Sequence, residues 1–100
     1  MRALTYFIGP DTGDTLVKSK ESFLKSIFIS YKDFTADEIV LTIVDGTTIA
    51  GSDVLAIYAD ATGGTISHTF AGQGLELQDG LFVNKGATVS GKAAITVQYR

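Results

Sequence analysis

The chain contains no cysteine and no tryptophan, and only one proline, one methionine and one histidine among 100 residues. Without cysteine there is neither a disulfide framework nor a thiolate metal site. A single histidine, His68, rules out multi-histidine zinc chemistry. Basic residues are sparse: eight Lys and Arg against eleven Asp and Glu give a net charge of −3. A phosphate backbone demands a dense positive face, and the richest basic stretch, "KSKESFLK" (18–25), is diluted by Glu21, so no nucleic-acid partner is expected. Long apolar runs are also missing. "ALTYFI" stops at Gly9-Pro10, too short for a signal core and far too short to cross a bilayer, so the expectation is a soluble product made in a cytoplasm, with no membrane partner.

What is present suits one globular domain spanning 1–100. The hydrophobic content is 45%, ordinary for a folded protein. A domain this small buries only about two-thirds of its unfolded surface, and with no disulfide or metal available, oligomerisation is the remaining staple.

The hydrophobic period is that of strands. "ALTYFI" (3–8) reads as a first strand, or residues 1–9 as an N-terminal arm, and residues 11–22 read as a polar loop. In "FLKSIFISYK", Ile27, Ile29 and Tyr31 alternate with Ser26, Ser30 and Lys32, which puts one face on a core and one toward water. "IVLTIVDG" is apolar on both faces, with Ile39, Leu41 and Ile43 opposed to Val40 and Val44. "VLAIYA", "TISHTFA" and "AAITVQY" follow, with Asp45-Gly46 and Asp79-Gly80 as hairpin signals and a loop over 84–92. About seven to nine short antiparallel strands at this spacing, with no amphipathic helix, predict an all-β sandwich, jelly-roll-like. A short helical turn at "KSKESFLK" is the one competing local assignment.

Sites for chemistry are few. "DTGDT" (11–15) has two carboxylates around a glycine but lacks the further ligands and closing Glu of a calcium loop, so it reads as an Asx-type turn. His68 shares a strand face with Ile66 and Phe70 and has no evident acid or nucleophile beside it. Asp45, Asp53, Asp60 and Asp79 sit at turns. "TGG" (62–64) and "GQG" (72–74) open no helix, so neither forms a phosphate cradle. No catalytic, metal or cofactor residues are assigned, and the expectation is a non-enzymatic protein. Apolar side chains on outer strand faces say more. Phe28, Val40 and Tyr58 point away from the expected core and, with Phe34, make a candidate interface patch. Tyr6, Phe7 and Ile8 in the N-terminal segment are the other candidates.

The order of segments also carries a resemblance. "LKSIFISY", "IVLTIVDGTTIAGSDVL", "TFAGQGLELQDGLFV" and the closing "AAITVQYR" resemble small structural proteins of tailed-bacteriophage virions. The matching residues in the third segment are Phe70, Gly74, Leu75, Leu77, Gly80, Leu81, Phe82 and Val83. The resemblance covers residues 23–100, and the first 22 depart from it. It implies a β-sandwich located in the virion, without catalytic residues. Its role would be a capsid decoration (cement) protein, a homo-oligomer with a trimer favoured, bound to the major capsid protein or other virion proteins. A neck or tail adaptor of the same fold, and a carbohydrate-binding sandwich, remain the alternatives.

Overall fold

Alternation of apolar and polar residues builds the longest strand and also shows where it bends. In β3 (Ser22–Lys32), Ile27, Ile29 and Tyr31 are buried while Phe28, Ser30 and Lys32 face out. The phase slips earlier in the strand, because Leu24 is also buried. A bulge between Leu24 and Ser26 in the pairing with β9 (Lys92–Tyr99) absorbs the slip. In β9 the alternation runs clean: Ala93, Ile95, Val97 and Tyr99 all point into the core.

The computed structural model describes residues 3–85 and 91–100. Seven further strands complete the described chain: β1 (Leu4–Ile8), β2 (Thr15–Lys18), β4 (Ile39–Asp45), β5 (Ser52–Tyr58), β6 (Gly64–Thr69), β7 (Leu75–Leu77) and β8 (Leu81–Lys85). There is no helix among the described residues. The pairings nest like one long hairpin, all antiparallel: β4 with β5, β3 with β6, β2 with β8 and β1 with β9. Successive pairs fall alternately into two sheets, β1-β9-β3-β6 and β2-β8-β4-β5, with β7 continuing along the β6 edge of β3. A nested hairpin rolled into two facing sheets is the jelly-roll order. Leu24, Ile27, Ile29, Ile95 and Val97 of the first sheet meet Leu41, Ile43, Leu81 and Val83 of the second, all at most 1% exposed. The fold is an all-β sandwich.

Several local expectations need correcting. The segment 11–22 is not one loop, since β2 lies within it and pairs with β8; a four-residue edge strand offers too little alternation to show in sequence. Nor does "KSKESFLK" form a helical turn, because it spans the end of β2 and the start of β3. Residues 4–8 form a sheet strand rather than a detached arm, paired with β9 at five successive positions. Asp79-Gly80 does not join a hairpin either. β7 pairs with β3 and β8 with β2 and β4, so this turn carries the chain from one sheet to the other. Val40 faces the core and Ile39 is exposed, the reverse of the expected phase, because a bulge falls between Ile39 and Leu41. Most of the loop expected over 84–92 lies outside the described residues.

Candidate functional site

The "DTGDT" carboxylates are both engaged within the fold. Asp14 Oδ1 accepts the backbone N–H of Lys85 at 2.9 Å, and Asp11 Oδ1 takes Lys92 Nζ at 2.6 Å. That ion pair holds the Asp11 carboxyl below its ordinary range. The Lys85 ammonium sits in the same loop and donates to the carbonyls of Gly9, Pro10 and Thr12 at 3.1, 3.3 and 2.8 Å. An ammonium has three donors, and three carbonyls meet them. Burial pushes the Lys85 pKa down, Asp11 and Asp14 pull it back up, and Lys92 adds to the fall. The chain therefore supplies this loop's cation itself.

The other polar candidates are structural as well. Asp45 accepts the N–H groups of Gln78 and Asp79 at 3.1 and 2.8 Å, and the Gly46 N–H donates to the Gly80 carbonyl at 3.2 Å. The two Asp-Gly turns are thus tied to each other. A Cβ at Gly80 would lie 2.6 Å from the Gly46 oxygen, so glycine is needed there. His68 lies on the core side of edge strand β6, its ring against Phe70 with centroids 4.5 Å apart. Among the described residues, no group of three or more His, Cys, Asp or Glu is placed to hold a metal ion.

Two surface hollows, of about 250 and 210 Å³, are lined by Lys18, Glu21, Phe23, Gln73 and Arg100 and by residues near Lys32 and Lys92. Both fall short of the roughly 300–1,000 Å³ of ordinary small-molecule pockets.

The outer face of the first sheet is a different kind of surface. Register places Phe7 opposite Thr96, Thr96 opposite Phe28, and Phe28 opposite Ser67, in one row across four strands. The flanking rows are Thr5, Gln98, Ser26 and Thr69 on one side and Ala94, Ser30 and Thr65 on the other. No Asp, Glu, Lys or Arg occurs in these three rows. Phe7 and Phe28 are 62% and 48% exposed, and Ser26 Oγ donates to Gln98 Oε1 at 3.0 Å. Two rings on a rigid, uncharged bed of small hydroxyl and amide side chains can bury apolar area without stripping water from a charge.

The remaining candidate interface residues scatter. Tyr6 is on the core side of β1 but lies at the sheet margin, partly exposed. Ile8 is buried in the core. Phe34 is buried too: Asp33 takes a φ of 62°, which turns the chain so that the Phe34 ring meets Tyr31 edge-on at 5.6 Å. Burial removes both Ile8 and Phe34 from any docking surface. Tyr58, 53% exposed, lies on the outer face of the second sheet, across the sandwich from Phe7 and Phe28, so these aromatics do not form one patch. The hydroxyl rows around Phe28 were not singled out from the sequence, although "SIFIS" and "TISHT" carry them as alternate positions.

No protein-family profile and no curated protein matches the chain. Among solved structures, a chain of the cyanophage Pam1 capsid asymmetric unit aligns with 98% of this chain and 79% of its own, at 15% identity and a TM-score of 0.37. That likeness is too loose to argue from. No helix among the described residues is long and apolar enough to cross a membrane.

Proposed function

We propose that this chain is a non-enzymatic structural protein of a tailed-bacteriophage virion, acting as a decoration (cement) protein on the head shell. The observation that carries the reading is the set of three charge-free rows on the outer face of the first sheet, with Phe7 and Phe28 exposed on either side of Thr96. Covering what remains exposed of two phenylalanines contributes about 1–2 kcal/mol per ring. That is weak for one molecule but large when repeated over every junction of a shell. The rigidity of the sheet helps, since little order has to be created on docking.

The phage-like segment supports the reading through the fold. Leu75, Leu77, Leu81 and Val83 pack in or against the core. Gly74 has a φ of 103°, and a Cβ there would lie 2.5 Å from the Leu24 carbonyl oxygen. The segment thus builds the crossover between sheets, and the docking chemistry lies elsewhere, on β1, β3 and β9.

The test uses shells of the encoding phage assembled without this protein. Purified protein added at micromolar concentration is expected to bind them and raise their melting temperature. No association would sink the cement role. Copy number per virion separates shell from neck or tail: a cement protein approaches the number of shell subunits, and an adaptor falls far below it.

A further inference from the structure

Four strand edges bound the two sheets: β1 and the collinear β6 and β7 in the first, β2 and β5 in the second. A free edge offers unpaired N–H and C=O groups to any other strand, and proteins blunt such edges with charge, bulges, breaks or short length. Three of these edges are blunted. β2 has four residues, ends on Lys18 and is irregular between Leu16 and Lys18. The β6–β7 edge is interrupted by residues 70–74. β5 carries Asp53 and has register shifts near both ends of its pairing with β4. β1, five residues long, has no charge, bulge or break. It reads "LTYFI" and pairs with β9 without a single irregularity.

Apart from the buried Ile8, the side chains of β1 are exposed on both faces. On the core side, Leu4 and Tyr6 are 55% and 37% exposed, although their β9 partners Tyr99 and Val97 are buried. On the outer side stands Phe7. A body docked on one face would leave the other bare, whereas a strand laid beside β1 covers both at once. That strand should itself be uncharged and apolar on both faces. Among the described edges, β1 alone fits the description, so the occupant that matches is a second copy of this chain.

We propose that two copies pair antiparallel through β1 about a two-fold axis at Tyr6. The first sheets then run on as β6-β3-β9-β1-β1-β9-β3-β6. In this register Leu4 lies opposite Ile8 of the second copy, Thr5 opposite its Phe7, and Tyr6 opposite its Tyr6. The axis is perpendicular to the sheet, so the Phe7 and Phe28 rows of both copies share one side, lying in neighbouring rows with each continued by the Thr5 row of the other copy. An isologous contact closes after two copies, while a head-to-tail contact between β1 and β5 would propagate. On this proposal the oligomer is a dimer, where the resemblance implied a trimer. Five residues a side are few beside the roughly 20–30 of a standard interface, so the pair is weak, with dissociation in the micromolar range. This inference goes beyond the shell-binding reading and is tested in solution without shells, so either can fail alone.

The absence of cysteine makes the test clean, because an introduced thiol is the sole one. Opposed residues in an antiparallel pair have Cβ atoms about 4.5–5.5 Å apart, close to disulfide reach. Under mild oxidation Tyr6→Cys is expected to form a covalent dimer roughly tenfold faster than Phe28→Cys, which lies two strands inward. Sedimentation at roughly 100 µM should show a dimer. Thr5→Lys, which charges the edge, should leave the melting temperature of dilute protein unchanged and weaken the dimer about tenfold. The proposal is overturned by a parent protein that stays monomeric at that concentration or grows beyond two copies. It is equally overturned by Tyr6→Cys cross-linking no faster than Phe28→Cys. Should Thr5→Lys fail to fold, the thiol comparison still decides.

Discussion

Lys85 holds the connection between β1 and β2 by matching each ammonium donor to a carbonyl of Gly9, Pro10 or Thr12. Replacing it with methionine keeps the stem but removes the donors. Lys85→Met is expected to lower unfolding stability by about 1–3 kcal/mol, the cost of losing charge-assisted bonds at a partly buried site, read as a drop in urea midpoint at constant slope. The turn character of "DTGDT" was legible from its own Asp and Gly residues. Its cation was not, because Lys85 lies 71 residues from Asp14 and only the β2–β8 pairing brings them together. Glu76 gives a second residue-scale prediction. A hydrogen bond to the Glu21 carboxylate, then desolvation, then the charges of Glu21 and Asp45 raise its pKa above the ordinary 4.5. The folded protein thus holds this proton more tightly than the unfolded chain does. Its contribution is fully present below the ordinary value and is lost as pH rises through the raised one. Glu76→Gln should therefore melt higher than the parent at pH 7, and the gap should close as pH falls below about 4.5. A gap that widened with acid would contradict the pairing.

Among elements, the tie between the Asp45-Gly46 and Asp79-Gly80 turns is the most exposed to mutation. The Asp45 carboxylate receives two backbone donors from the crossover between β7 and β8. Asp45→Ala removes both acceptors and is expected to cost about 1–3 kcal/mol, with Asp45→Asn, which keeps one carbonyl acceptor, costing less; equal losses in chemical denaturation would argue against the carboxylate's role. The sequence marks both turns, since Asp-Gly suits tight reversals. Period-two alternation does not say which sheet a strand joins, so the crossover read as a hairpin. Bulges hid the remainder. The extra residue near Val40 reverses the expected phase of Ile39 and Val40, and the one near Lys25 shifts the start of β3. By contrast β9, with no bulge of its own and four buried alternate residues, was readable end to end.

Across the whole molecule, strand number and spacing were legible, and they fixed the all-β class. The nesting of pairs was not, because β1 meets β9 and β2 meets β8 from opposite ends of the chain. The same long-range order decides which exposed aromatics share a surface. Phe7 and Phe28 are 21 positions apart in sequence yet meet across Thr96 in one row, while Tyr58 ends on the far side of the sandwich. Two outer faces give two ways to dock, and substitutions separate them. Phe7 and Phe28 are both well exposed, so replacing them with serine should leave the fold intact, checked by an unchanged cooperative melt. The most direct measurement is the binding of three proteins to phage shells assembled without this chain: the parent, Phe7→Ser with Phe28→Ser, and Tyr58→Ser. The docking account predicts that the double variant binds at least about tenfold more weakly while Tyr58→Ser binds like the parent. Undiminished binding by a folded double variant would contradict it.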